Sequence, residues 1–425
     1  MTSDTIYALS SGALPAAIAI VRLSGLRAEA AAERLAGPLP EPRQASLRRL
    51  RAADGSVIDE ALLLRFAAPT TATGEPLIEF HLHGGRAVVA RLLAELSAMD
   101  GLREASPGEF TRRALINGRL DLTQAEGLAD LLGAETEWQR RAAMESAGGN
   151  LRRLVEEWRK QLVQLSAEAE AAIDYVGDED ETAIDLAGLW ERSAELVRLW
   201  RGCLAQPPAE LLEQGVRIVL AGPPNSGKSS LFNALVGSER AIVTPIAGTT
   251  RDLIKARLDL DGMPVTLVDT AGLHDSSDEV ERIGISRAEQ ALAEADILLW
   301  LGDPDDAPNL ASRLLVHARA DQRGPAPAGS IATSVLAKGG LDELRSRLGQ
   351  QVRNLLPPVD RASLNRRQRQ ALGEAADILS LTPGDDLLLM AEALRQALAS
   401  LDRLTGRQST EEVLDALFGR FCLGK

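Results

Sequence analysis

Cysteine is almost absent: Cys203 and Cys422 are the two in 425 residues. That number excludes a disulfide framework and points to a reducing, cytoplasmic compartment. Positive charge is also short, with 47 Lys and Arg against 61 Asp and Glu and a net charge of −14. A chain that coats nucleic acid indiscriminately needs clustered cations to neutralise phosphate, so that class is excluded, whereas a local basic patch meeting one RNA is not. Long apolar runs are missing. The stretch from Ala13 to Val21 is far too short to span a bilayer, so no membrane partner is expected. No basic segment precedes it, which makes the first residues a poor secretory signal. There is no internal repeat and no long low-complexity segment, only a short Pro/Gly-rich loop from Arg323 to Ala328.

What remains is globular in composition: 45% hydrophobic, 25% charged, mean hydropathy −0.07. At about 150 residues per domain the length suggests roughly two to four domains. The texture changes along the chain. Residues 1–118 mix short apolar runs with glycine-punctuated turns: Ala17 to Leu23 and Leu62 to Phe66 read as strands, Val88 to Leu96 as a helix. Residues 119–213 carry apolar residues at three- and four-residue spacing, in Leu120 to Leu132, Trp138 to Ala172 and Leu186 to Leu204. The same texture returns in 357–425, where Ser409 to Glu412 forms a capping box. Between them, in 214–356, strands alternate with helices, the pattern of a parallel sheet. The expected architecture is multidomain, with an α/β domain inserted into a helical domain built from two separated segments.

Chemistry is legible first at Val216 to Ala221, a buried strand running into Gly222-Pro-Pro-Asn-Ser-Gly-Lys-Ser229. This fits G-x-x-x-x-G-K-[ST] between a strand and a helix, the context a phosphate-binding loop requires. Its glycines let backbone amides face the phosphates, Lys228 reaches the β- and γ-phosphates, and Ser229 ligates Mg²⁺. Gly248-Thr249-Thr250 follows, with Thr250 the expected second Mg²⁺ ligand. The strand Val265 to Val268 then leads into Asp269-Thr270-Ala271-Gly272, where Asp269 can hold Mg²⁺ through water and the Gly272 amide can face the γ-phosphate. Three such elements in order specify a GTP-hydrolysing domain far better than any one alone.

The base-reading element departs from the usual Asn-Lys-x-Asp: here stands Ala318-Arg319-Ala320-Asp321. Asp321 can accept from guanine N1 and N2, and Arg319 can lie over the base. Ser334-Val335-Leu336 is the expected last base-contacting loop. The position after the switch glycine is Leu273, which cannot orient water as a glutamine does. Asp275, Asp278, Glu279 and Glu281 are the acidic candidates nearby, and the residues alone do not choose among them.

Across essentially its whole length the sequence resembles the tRNA modification GTPase MnmE (TrmE) family. The resemblance is carried by GPPNSGKSSLFNAL (222–235), TPIAGTTRD (244–252), DTAGLHDSSDEVERIG (269–284) and the terminal Phe421-Cys-Leu-Gly-Lys425, with ATGEPLIEFHLHGG (72–85) and SPGEFTRRALINGRLDLTQAE (106–126) in the first region. It implies a P-loop GTPase domain inserted in a helical domain, preceded by an α+β tetrahydrofolate-binding-like domain that also dimerises. It implies K⁺ held by Asn225, Thr244, Ile246 and Thr249, and Glu281 as the water-orienting carboxylate. The nucleotide-contacting set implied is Asn225, Ser226, Gly227, Lys228, Ser229 and Ser230; Thr244, Pro245, Ile246, Ala247, Gly248, Thr249 and Thr250; Asp269, Thr270, Ala271 and Gly272; and Arg319, Asp321, Ser334, Val335 and Leu336. For a 5-formyl- or methylene-tetrahydrofolate it implies Arg22, Glu79, Arg119 and Lys425, the family commonly having Lys where Arg119 stands. Cys422 is placed near the folate and the reacting uridine, as a catalytic candidate with Glu281 and Lys228. The implied reaction adds a one-carbon unit plus glycine or ammonia to C5 of the wobble uridine of certain tRNAs. It is carried out with an FAD-carrying MnmG-like partner in a heterotetramer. The rival expectation is a ribosome-assembly or signalling switch GTPase, which needs neither the terminal FCLGK nor a folate-like region.

Overall fold

The computed structural model describes residues 4–174, 186–241, 254–270, 289–310, 312–360, 362–381, 386–407, 411–419, 421 and 424. The chain divides into two compact units, Met1–Ala129 with Asp402–Lys425, and Asp130–Leu401.

The first unit is built on a six-stranded sheet of β1 (Thr5–Leu9), β2 (Ala16–Ser24), β3 (Ser46–Arg51), β4 (Val57–Phe66), β5 (Leu77–Gly84) and β6 (Leu102–Glu104), ordered β3-β4-β5-β2-β1-β6. Only β1 and β6 pair in parallel. Period-2 alternation gives the sheet two unlike faces. Val21, Leu23, Leu63, Phe80 and Leu82 point into a core closed by helices Ala28–Ala36 and Arg86–Ser97. Each such side chain, fully buried, contributes roughly 1.5–3 kcal/mol. The alternate residues Arg22, Glu79 and His81 lie on the other face, half-buried. Helix Glu109–Ile116 is joined to the late helix Glu411–Phe418 by Arg112, which pairs with Glu411 and, at 3.1 Å, with Asp415. Leu122, Ala125, Leu417, Phe418 and Phe421 form the small core beneath. The late segment is fastened once more where Ser10 Oγ donates to the Gly424 carbonyl at 2.9 Å.

The second unit holds a seven-stranded sheet of β7 (Val216–Ala221), β8 (Arg240–Ala241), β9 (Ile254–Leu260), β10 (Met263–Asp269), β11 (Ile297–Trp300), β12 (Arg313–Ala318) and β13 (Ile331–Thr333). The order is β13-β12-β11-β7-β10-β9-β8, every pairing parallel except β10 with β9 and β9 with β8. Central β7 is apolar on both faces, as a covered parallel strand must be. Ile218 and Leu220 join Leu231, Phe232, Leu344 and Leu348 of helices Lys228–Ser238 and Asp342–Leu355, while Val219 meets Val268 and Ala291.

The helical residues of this unit differ from expectation at two places. The single helix expected from Trp138 to Ala172 is two, Glu137–Ala147 and Asn150–Asp174, broken where Gly149 takes φ 78°. Thr136 and Gln139 cap the first reciprocally. The cluster Arg366, Arg367 and Arg369 reads as a solvated cationic face. Arg369 instead donates to the carbonyls of Leu204 (2.6 Å) and Gln206 (3.0 Å), closing the end of helix Leu186–Leu204. Edge-to-face packing of Trp158 on Trp200, centroids 6.3 Å apart, joins Asn150–Asp174 to the same helix. Among the described residues no helix is long and apolar enough to cross a membrane.

Candidate functional site

The C-terminal ends of β7, β10, β11, β12 and β13 share one edge of the second unit's sheet, and the strand order reverses about β7, the crevice where open α/β sheets bind ligands. β7 leads into a loop whose shape is dictated by close approach. Gly222 has φ +147°, and a Cβ there would lie 3.1 Å from the Leu301 carbonyl carbon at the end of β11. Gly227 has φ +106° and caps helix Lys228–Ser238, with Asn225 also left-handed at φ 58°. The first-turn amides of that helix have no intrahelical acceptors, and its positive dipole end adds to their attraction for an anion.

Lys228 is buried, and its Nζ donates to the carbonyls of Gly222 and Pro223, both at 2.9 Å. Burial pushes the ammonium below its ordinary pKa, opposed by the negative charge of Asp269. Ser226 Oγ is buried with no hydrogen-bond partner among the described residues. A phosphate group fits this cradle: it supplies the anion that the buried cation and the helix end favour and an acceptor for the orphaned hydroxyl. Ser229 and Ser230 open the helix and are exposed.

On the neighbouring strand β10 ends at Asp269, in register with Leu220 and 1% exposed. Thr270 Oγ1 ties the next turn back to the Leu220 carbonyl at 2.8 Å. The hydroxyl of Ser229 and the carboxylate of Asp269 are hard oxygen donors of the kind Mg²⁺ takes, so the donor chemistry fits that ion. Asn225 offers a neutral amide oxygen suited to K⁺. The other expected ligands and contacts, Thr244, Pro245, Ile246, Ala247, Gly248, Thr249, Thr250, Ala271, Gly272 and the acid Glu281, lie outside the described residues.

The loops expected to read the base sit at the ends of β12 and β13, which pair Ala318 with Thr333. Arg319 adopts φ 59°, and its Nε lies 3.8 Å from where a Gly227 Cβ would stand, so this loop abuts the phosphate loop. Asp321 is exposed. A hydrogen bond with Ser334 holds its carboxyl below the usual range, with a smaller contribution from the Arg319 charge. Ser334 is buried, and its Oγ also accepts from the amides of Leu336 (3.3 Å) and Ala337 (3.2 Å). Val335 and Leu336 are exposed beside it. The sequence marked Ser334 as a base contact; that its Oγ also closes the turn by accepting two backbone amides is the part sequence reasoning missed.

In the first unit, Arg22 and Glu79 face one another across β2 and β5. Arg22 Nε and Nη2 donate to Glu79 Oε1 at 3.0 and 2.8 Å, and Arg22 lies over Phe110 at 5.8 Å. β2 is interior to the sheet, so Arg22 is no strand-edge charge but one half of a cross-strand ion pair. His81 Nε2 meets Glu79 Oε2 at 3.3 Å. Arg119 Nε donates to the Thr71 carbonyl at 3.0 Å. A folate fits this face only through the capacity the pair leaves open. Cys422 and Lys425 lie outside the described residues.

Sequence reasoning also passed over Arg113. It is 3% exposed and binds Glu75 (3.0 Å), Asp4 (3.1 Å) and Glu109 (3.2 Å). Glu75 in turn accepts from Ser24, which bonds Thr73 at 2.7 Å. The available signal was a doubled arginine, Arg112-Arg113, in a helix whose next residues are apolar.

Comparison with known proteins covers the whole chain. The family model described as the MnmE helical domain matches residues 122–422, and that of the GTP-binding protein TrmE N-terminus matches residues 5–119. A tRNA modification GTPase MnmE of Erythrobacter litoralis is 50% identical over 426 residues, covering 99% of this chain and 100% of that protein. Its counterpart from Rhizorhabdus wittichii is 53% identical, covering 100% of this chain and 97% of that protein. That of Zymomonas mobilis is 48% identical, covering 99% and 100%.

Proposed function

Because the chain belongs to the MnmE family of tRNA modification GTPases, and so is a GTP hydrolase acting in tRNA modification, we propose a K⁺-dependent mechanism coupled to folate chemistry. The division of labour follows the texture of the sequence: 1–118 binds folate and dimerises, 119–213 and 357–425 form the helical domain, and 214–356 binds GTP or GDP.

The observation that carries the nucleotide reading is the buried Lys228, held by two carbonyls beside the orphaned Ser226 hydroxyl at a helix N-terminus. Lys228 turns from those carbonyls to the β- and γ-phosphates. Ser229 and Thr250 hold Mg²⁺; Asn225, Thr244, Ile246 and Thr249 hold K⁺. Bound, the two cations supply positive charge where it develops on the transferred phosphoryl group. Glu281 orients the attacking water in place of the missing glutamine, and Asp321 reads guanine.

Arg22, Glu79, Arg119 and Lys425 hold a 5-formyl- or methylene-tetrahydrofolate, which supplies the one-carbon unit. Cys422 acts beside the uridine. With an FAD-bearing MnmG-like partner in a heterotetramer, the product is a (carboxymethyl)aminomethyl group at C5 of the wobble uridine of certain tRNAs. A homodimer is supported by the open face of the first unit's sheet, where Ile18 and Leu47 are 60% and 64% exposed. The two cysteines and the reading of a reducing compartment support a cytoplasmic location.

The test is steady-state hydrolysis of GTP and ATP in KCl and NaCl at equal ionic strength. Hydrolysis of GTP alone, much faster in KCl, is expected. Equal slow rates in both salts would remove Asn225 from the mechanism and favour a switch GTPase that waits for a partner.

A further inference from the structure

The residues that follow β11 form a wall against which the phosphate loop lies. β11 runs parallel to β7 with Trp300 opposite Ala221, and the Leu301 amide donates to the Ala221 carbonyl at 2.8 Å. The two strands are therefore tied where the loop begins, and beyond that tie they approach too closely for side chains. A Cβ on Gly222 would lie 3.1 Å from the Leu301 carbonyl carbon and 3.2 Å from the Gly302 amide nitrogen. The same holds from the other side. Gly302 lies outside the left-handed region, so its backbone does not demand glycine; its surroundings do. A Cβ there would stand 2.9 Å from Cδ of Pro223 and 2.8 Å from Cε2 and Cζ2 of Trp300. Cδ of Pro223 belongs to a ring closed on the backbone nitrogen, so it cannot withdraw without moving the loop. The indole of Trp300 is held as well: its Nε1 donates to the Asp303 carbonyl at 2.7 Å, a bond that spans Gly302. Asp303 in turn caps the short 3-10 helix Pro304–Asp306. What rides on this wall is Lys228. The Pro223 carbonyl accepts from Lys228 Nζ at 2.9 Å and from the Ser226 amide at 3.3 Å, and the second carbonyl on Lys228 is that of Gly222.

We infer that Trp300 and Gly302 are positioning residues for GTP binding: they set the shape of the phosphate loop, and Gly302 supplies the space that the ring of Pro223 fills. Proline at 223 thus requires glycine at 302. The inference rests on the reading of residues 222–229 as a phosphate loop and goes beyond it, to residues outside that motif that touch no nucleotide. A methyl group at 302 displaces Pro223 and with it an acceptor that holds Lys228. Bound phosphates take Lys228 over from those carbonyls, so the displacement falls on binding rather than on turnover of the bound nucleotide.

The experiment uses the full chain with Mg²⁺ and K⁺, titrated with fluorescent N-methylanthraniloyl-GDP and assayed for steady-state GTP hydrolysis. Gly302→Ala is made in the native chain and in a Pro223→Ala background. Gly237→Ala, with open space around its Cβ, is the control for an added methyl group. Expected for Gly302→Ala is nucleotide binding about 10–100-fold weaker, the range for a methyl group forced into filled space. KM is expected to rise with it while kcat stays within about threefold, as for an interaction that binds ground and transition states alike. In the Pro223→Ala background the same substitution is expected to weaken binding by less than about threefold, because the two residues then no longer compete for one space. Unchanged binding by Gly302→Ala, a loss no larger than that of Gly237→Ala, or a full loss persisting without the proline would each overturn the inference. Should Gly302→Ala fail to fold by circular dichroism, Trp300→Leu decides: it loosens the same wall without adding bulk. Binding about 3–10-fold weaker is then expected, as for one lost neutral hydrogen bond, and unaltered binding would overturn the inference. No binding by the unaltered chain would instead overturn the phosphate-loop reading and this inference with it.

Discussion

Lys228 in one unit and Arg22 in the other are both cations at a candidate site, yet they differ in what their surroundings leave undone. Among the described residues Lys228 has two carbonyl dipoles for hydrogen-bond partners, with the charge of Asp269 nearby, sits buried at a helix N-terminus and is depressed in basicity by that burial. Arg22 is neutralised by Glu79 in the same sheet. The first arrangement is improved by an anionic ligand; the second loses an ion pair to any ligand that takes one of its members. A phosphate site is thus built from unspent backbone polarity, whereas the sheet-face site is built from charges already balanced. Binding there must recover what it breaks.

Arg113 tests the balanced side most severely. Replacement by Met leaves the little-exposed Glu75 without its ion-pair partner, while Glu109 keeps Arg103, and is expected to destabilise the first unit by about 3–5 kcal/mol. Urea unfolding followed by circular dichroism measures it. A change below 1 kcal/mol would mean that Arg113 is not needed to hold these carboxylates, and the contrast between the two sites would weaken. Lys228→Ala tests the unspent side: hydrolysis is expected to fall by about 100–1000-fold with the circular dichroism spectrum unchanged. Retained turnover would break the comparison at its other end. Arg22→Ala is the smallest change and the sharpest discriminator. Calorimetry is expected to show 5-formyl-tetrahydrofolate bound roughly 10-fold more weakly, as for one charge-assisted bond. Unaltered affinity would return the Arg22–Glu79 pair to a purely structural role.

The same contrast explains what could be read beforehand. The phosphate loop was legible because its chemistry is local: strand, glycines at fixed spacing, lysine and helix are contiguous, and β7 and β10 are apolar runs of the length a covered strand has. The pairing of Arg22 with Glu79 joins residues distant in sequence, through a strand register that no spacing encodes. Strand β3, Ser46–Arg51, gave no strand signal because three of its six residues are arginines, Leu47 is exposed and only Leu50 is buried in the core. The Trp138 to Ala172 segment kept helical periodicity on both sides of Gly148–Gly149, so the break was visible as two glycines but not as a change of period. Arg369 looked solvated because a carbonyl partner on another helix leaves no mark in its own helix.

The fastening of Gly424 to Ser10, with Arg112 paired to Glu411 and Asp415 nearby, also orders events in time. A chain made from its first residue onward has its six strands available long before residues 402–424 leave the ribosome, while every residue of the inserted unit, 130–401, emerges in between. The first unit is therefore begun first and completed last. The small core of Leu122, Ala125, Leu417, Phe418 and Phe421 stays open until residues 417–421 have been made, and a chain stopped short of them would carry an intact phosphate loop and an unsealed sheet domain.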